Sequence, residues 1–194
     1  MVKKYNESYL GLEKEICDEI RAWSAYALEE KSPHYNDFSP CPYAKKSWED
    51  NKVSIVFKYS ASYQPLYNLI SLFEDNTSDK VVLLVDLEYP NSDYFHTHLF
   101  ELNDSIADGD FGDRDLWLMG FHPEDEANEL IDDGTFEPHV ETTYAMIFIQ
   151  RLGKLQEASE KLSSLGYYDR YTGNYDISSI REKRSELYGR LKNG

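Results

Sequence analysis

Between residues 122 and 139 the chain sets two histidines among carboxylates: His122, Glu124, Asp125, Asp132, Asp133 and His139. Imidazole nitrogen combined with carboxylate oxygen suits zinc, manganese or iron, whereas oxygen alone suits magnesium or calcium. His122, Asp125, Asp132 and His139 are therefore candidate ligands of a divalent metal. No motif of known metal spacing is matched, since there is no His-Glu-x-x-His and no paired Cys-x-x-Cys. A second reading stands beside the metal one. A polar residue followed by Pro123 and by Glu124-Asp125-Glu126 is how a helix begins, with proline at the first position and acids against the positive end of the dipole. Gly134 would close that helix over 123–133, and His122 would then be a capping residue. The sequence leaves both readings open.

Cys41 lies in "SPCPYAKKSW", where Lys45 and Lys46 would lower its pKa and favour the thiolate; a buried, inert cysteine is the competing reading. A thiol–disulfide motif is excluded because Ala44 stands where the second cysteine would be. "DGDFGDRD" (108–115) fails as a calcium loop, having Met119 where the twelfth position needs a glutamate, and reads as a polar turn. His96 and His98 look like a chelating pair, but on a helix their rings point about 200° apart. No glycine-rich phosphate loop, dinucleotide fingerprint or Gly-x-Ser-x-Gly elbow occurs, so nucleotide-dependent and serine-hydrolase chemistry has no support.

The elements that must position these groups read as an alternation of strands and helices. Leu12, Ile16, Ile20, Trp23 and Ala27 form a helical stripe, which ends before the proline-rich "KSPHYNDFSPCPYAKK". "VSIVFKYS" (53–60), "VVLLVDL" (81–87) and "DLWLMGF" (115–121) are strand-like. Between them, Leu66, Leu69, Ile70 and Phe73 mark one helix, and Phe95, Leu99, Leu102 and Ile106 a second, with Ser92 as its expected N-cap. This order predicts one α/β domain over 1–194, with a small, mostly parallel β-α-β-α-β sheet joined by right-handed crossovers. "TTYAMIFIQRLGKLQEASEKLSSLG" opens either as a strand over 143–150 or as one long helix. Ala145, Phe148, Leu152, Leu155 and Leu162 keep helical spacing, so the long helix, ended by Gly166, is the expectation. A basic helix with Ile180, Leu187 and Leu191 on one side follows, giving an N-terminal helix and two C-terminal helices around the sheet. In such a sheet the strand ends Ser60–Ser62, Asp86–Glu88 and Phe121–His122 share the carboxyl edge where ligands bind.

Composition narrows the class. Of the 194 residues 41% are hydrophobic and 14% aromatic, enough for a packed core. No apolar run is long enough to span a membrane, no signal peptide is visible, and two cysteines suit a reducing cytoplasm. The net charge of -16 is concentrated: from Asp86 to Glu141 there are seventeen acids against Arg114 alone, while the rest of the chain balances. Direct nucleic-acid binding is disfavoured, because phosphate contacts need Lys and Arg. A cation, a basic protein or simple solubility is what the segment suits.

"CPYAKK" after a helix containing Trp23, then "VVLLVD", "FHP", Asp132-Asp133, and Tyr144 and Arg151 before "LQEAS", resembles the bacterial family catalogued as domain of unknown function 1415, over roughly residues 20–160. Two departures stand out: the family's Asn- and Arg-bearing stretch reads "EPHVETT" here, and Phe148 replaces a histidine. The resemblance joins Cys41, His122 and Arg151 as candidates for one shared site and supplies no reaction; on an enzyme reading they are the candidate catalytic residues, with Arg151 as an anion clamp. The leading expectation is a small soluble enzyme or small-molecule binder with a His/Cys/carboxylate site at the strand ends, dependent on a divalent metal. The alternatives are an acidic module that binds a basic protein or mimics the charge of DNA, and a homodimer in which the basic C-terminal helix packs on the acidic segment of a second copy.

Overall fold

The computed structural model describes residues 7–73, 80–112, 114–125, 144–169 and 177–193. Along these the chain forms α1 (Glu7–Ala27), a 3-10 turn (Pro33–Tyr35), α2 (Ala44–Glu49), β1 (Val53–Lys58), α3 (Gln64–Leu72), β2 (Val81–Asp86), α4 (Ser92–Ala107), β3 (Trp117–Phe121), β4 (Ala145–Gln150), α5 (Leu152–Ser164) and α6 (Ile177–Asn193). The α/β class is as expected. The sheet is mixed rather than mostly parallel, with four strands in the order β1-β2-β4-β3. β1 and β2 are parallel, and β4 runs antiparallel to both β2 and β3.

The correction comes from residues 145–150, which form a central strand and not the start of a long helix. The helical spacing of Ala145, Phe148 and Leu152 is real but incidental. A run of six with three β-branched or aromatic residues, apolar on both faces, is what a strand needs when neighbours pair on both sides. Ala145, Ile147 and Ile149 join the core under α3 and α4, with Leu66, Ile70, Phe95 and Leu99. Met146 and Phe148 join the core under α1, with Ile16, Ile20, Leu83 and Val85. The helix then starts at Leu152 and ends at Gly166, whose φ of 79° takes the left-handed turn. The N–H groups of Gly166 and Tyr167 bond the carbonyls of Ser163 and Leu162, closing the last turn.

Leu12 drops out of the predicted α1 stripe and is exposed, while Trp23 meets Phe121 edge-on at 5.3 Å. α4 is capped by Asn91, whose side chain accepts the Tyr94 N–H, and not by Ser92. Gly120 lets α4 lie directly on β3: a Cβ there would stand 2.5 Å from Phe95 Cε1 and 2.6 Å from Leu99 Cδ1. Beside it, the buried Asn103 donates to Leu118 O and accepts from Leu118 N, at 2.9 and 2.8 Å. The outward backbone of an edge strand is thereby paired by a side chain.

The basic α6 packs within its own chain. Leu187 meets Ala107 and Leu152, while Lys183 and Arg190 pair with Asp104, and Arg190 with Asp108. Arg114, the lone cation of the acidic segment, donates to the carbonyls of Ser71 and Phe73 and caps the end of α3. Among the described residues no helix is long and apolar enough to cross a membrane.

Candidate functional site

β3 is antiparallel to β4, which is antiparallel to β2, so β1, β2 and β3 all point their carboxyl ends the same way. The strand ends therefore share one edge, although β4 separates β3 from its codirectional neighbours. What that edge carries differs from the sequence expectation.

Its charged centre is Lys58 and Asp86, the last residues of β1 and β2, which face each other in register. Both side chains are fully buried, and Lys58 Nζ donates to Asp86 Oδ1 at 2.6 Å and to Glu88 O at 3.3 Å. The same Oδ1 accepts the Glu88 N–H. The second carboxylate oxygen, Asp86 Oδ2, is buried without a hydrogen-bond partner among the described residues, and so is the hydroxyl of Tyr63. Tyr63 enters α3 just after Ser62, whose Oγ accepts the Gln64 N–H, and its ring lies 5.0 Å from Lys58 Nζ. Burial first, and the Asp86 charge second, push the Tyr63 phenol well above its ordinary pKa. His98 of α4 lies against Tyr63 with ring centroids 4.3 Å apart, shares a hydrogen bond with Tyr67 Oη at 3.2 Å and stacks on Tyr94. Burial lowers the His98 pKa, which favours its neutral form. A buried ion pair with two unmatched polar atoms is a costly arrangement in a hydrophobic core.

His122 lies at the same edge, 3% exposed, but both ring nitrogens are engaged by backbone. Nε2 donates to Pro90 O at 2.9 Å and Nδ1 accepts the Glu124 N–H at 3.1 Å, which fixes the tautomer. Its own N–H donates to Asp125 Oδ2 at 2.8 Å, and its carbonyl accepts the Asp125 N–H. This is the turn-forming role, and it leaves neither nitrogen open to a metal or a substrate proton. Of the proposed helix over 123–133, residues 123–125 form a turn and the remainder lies outside the described residues. Asp125 ties that turn to α4, its Oδ1 accepting from Ser92 Oγ and pairing with His96 Nε2, both at 2.7 Å. Burial opposes ionisation of Asp125, but the bonds from His96, Ser92 and the His122 N–H outweigh it and hold the carboxyl below its usual range.

The other expected residues lie elsewhere. Arg151 follows the end of β4 that pairs with the start of β3, through Gln150 opposite Trp117. His122 follows the far end of β3, so the two stand roughly 20 Å apart along the sheet. Arg151 is buried with its guanidinium 4.9 Å from the Phe73 ring. Cys41 sits in the loop between α1 and α2, its N–H bonded to Leu28 O. Its thiol pKa is raised by burial, which outweighs the N–H groups of Tyr43 and Ala44, and Glu29 adds to the rise; Lys45 and Lys46 do not make it a thiolate. Register therefore separates His122 from Arg151, two members of the group the resemblance implies. Asp132 and His139 lie outside the described residues, and among the described ones no group of three or more His, Cys, Asp and Glu side chains is placed to hold a metal.

Sequence reasoning placed Asp86 at a strand end and weighed His98 only as half of a chelating pair, and it did not single out Lys58 or Tyr63. The available signal was that two apolar strands, "VSIVFK" and "VVLLVD", each end in a charge, of opposite sign. His96 and His98 do point apart, to either side of α4, but each has a specific partner instead of being bare surface. No protein-family model matches the chain, and comparison with curated proteins and with solved structures gives no match either.

Proposed function

We propose that this protein binds a small molecule at the carboxyl edge of its sheet, as a binder or an enzyme, on Lys58, Asp86 and Tyr63. The observation that carries this reading is Asp86 Oδ2, a fully buried carboxylate oxygen without a partner among the described residues, beside an equally unpartnered phenol. A carboxylate in that position is an acceptor held ready for a donor. Supporting it, replacing a buried ion pair by apolar residues is often neutral or stabilising, so stability alone is a poor reason for Lys58–Asp86.

The test is a screen of neutral and charged fragments against isotope-labelled protein, reading the NMR signals of Lys58, Tyr63 and His98. Fragments that saturably move these signals, and lose the effect in a folded Lys58→Met/Asp86→Leu protein, support the proposal. Fragments that bind only elsewhere, or none, defeat it. A divalent metal is a separate proposal that does not use Lys58 and Asp86, and stoichiometric zinc, manganese or iron in the purified protein would support it.

A second reading keeps the acidic surface as a dock for a basic protein. Glu88, Asp93, Glu101, Asp110 and Glu124 are exposed, whereas Asp104 and Asp108 are already matched by α6. Retention of a basic partner at low salt and its release at high salt would support this reading; no retention at low salt would remove it.

A further inference from the structure

The Asp86 carboxylate accepts hydrogen bonds and cannot donate them, so whatever meets Oδ2 must bring a donor. A cation is disfavoured there, because Lys58 Nζ is already 2.6 Å from the other oxygen of the same carboxylate. An anion is disfavoured as well, since it would face the Asp86 charge itself. The group is therefore neutral. The Tyr63 ring lies 5.0 Å from Lys58 Nζ, itself 2.6 Å from Asp86 Oδ1, and the Tyr63 hydroxyl can both donate and accept. A hydroxyl answers both partners with one atom, donating to Asp86 Oδ2 and accepting from Tyr63 Oη.

The surroundings extend this chemistry outward. Tyr94 is 56% exposed and stacks on His98, which packs on Tyr63; Tyr89 is 40% exposed and stands edge-on to His122 at 4.9 Å. These rings offer flat, amphipathic faces near the edge, suited to the carbon-bound side of a ring-shaped polyol. Resting on the small-molecule reading above, we propose that the ligand is a neutral polyhydroxyl compound, a sugar or cyclic polyol, with one hydroxyl seated between Asp86 and Tyr63 and its body against Tyr94.

The experiment titrates D-glucose and myo-inositol into labelled protein and reads the ring signals of Tyr63, His98 and Tyr94 and the Nζ signal of Lys58. Glucose 6-phosphate and glucosamine in its ammonium form serve as charged counterparts. The expected result is saturable shifts with a neutral polyol, weakened about tenfold in Tyr63→Phe, which keeps the ring and removes one hydrogen bond. Unchanged affinity in a folded Tyr63→Phe protein would overturn the seat of the hydroxyl. Shifts from the charged sugars alone would overturn the neutral class and leave the site standing. If the sugars and the fragment screen all leave these residues unmoved, only ordered water meets Asp86, and the site reading falls with the ligand.

Discussion

Lys58 and Asp86 close two neighbouring parallel strands at the same register and meet at 2.6 Å with neither side chain exposed. In-register strand ends make their encounter a consequence of pairing, so the ion pair forms only when β1 and β2 are correctly aligned. A slip of one residue would turn Asp86 to the other face and leave both charges buried alone.

Removing one member should therefore cost far more than removing both. Lys58→Met strands the Asp86 carboxylate in the core and is expected to destabilise the protein by about 3–5 kcal/mol. Lys58→Met/Asp86→Leu should recover most of that loss. Chemical denaturation of the two singles and the double closes the cycle, and a double variant as unstable as the sum of the singles would show that the two charges do not stabilise each other.

Asn103 is expected to matter more than a buried asparagine usually does. It satisfies both the N–H and the C=O of Leu118, itself 2% exposed, on the free side of β3. Asn103→Leu fills similar space but leaves two backbone groups unmatched, with an expected cost of about 2–4 kcal/mol. Hydrogen exchange gives the sharper reading. The Leu118 amide should lose protection selectively, and unchanged exchange would mean that water or another group replaces the asparagine.

Gly120 sets the distance between α4 and β3. A methyl group there collides with Phe95 and Leu99, both in the core, so Gly120→Ala should cost about 1–3 kcal/mol through overpacking. Combining it with Leu99→Ala removes one of the two clashes and leaves space into which Phe95 can shift, so the pair should cost less than the sum of the singles. Strict additivity in melting experiments would place the strain elsewhere.

The parts of this fold that were legible came from local pattern. α1, α3, α4 and the first three strands follow from the spacing of Ile16, Ile20, Ile70, Phe95 and Leu99 and from apolar runs of strand length. β4 was not legible, because "AMIFIQ" satisfies both periods and only its long-range pairing with Val82–Asp86 and Trp117–Phe121 decides between them. The Lys58–Asp86 edge was not legible for a similar reason. His122 drew attention by type, yet its nitrogens are spent on Pro90 and Glu124, contacts that no local pattern announces. Lys58 is one polar residue within "VSIVFKYS", and only its register with Asp86 singles it out. α6 was recognised as basic and suited to an acidic face, and the face it uses is on α4 of its own chain.

Two groups beside α4 should give stability a two-stage acid dependence. His98 has a folded pKa below its ordinary value of 6.5 because burial disfavours its charge. Below 6.5 the unfolded chain takes up a proton more readily than the folded one, so stability falls as pH drops from 6.5 toward the lowered value. Asp125 acts in the opposite sense of charge but the same sense of pH. Burial resists its ionisation, yet His96, Ser92 and the His122 N–H hold its carboxyl below 3.8, so its contribution is full above 3.8 and is lost as pH falls from there through the lowered folded value. His98→Phe should flatten the upper stage and leave the lower one, whereas Asp125→Asn should reduce the lower stage and leave the part that Asp104, held low by Arg190 and Lys183, contributes. Denaturation midpoints between pH 7 and 3, with the His98 ring followed by NMR, measure both. A His98 titration at or above 6.5 would show that its contacts with Tyr63 and Tyr67 do not shield it from water, and the upper stage would then have to come from another group.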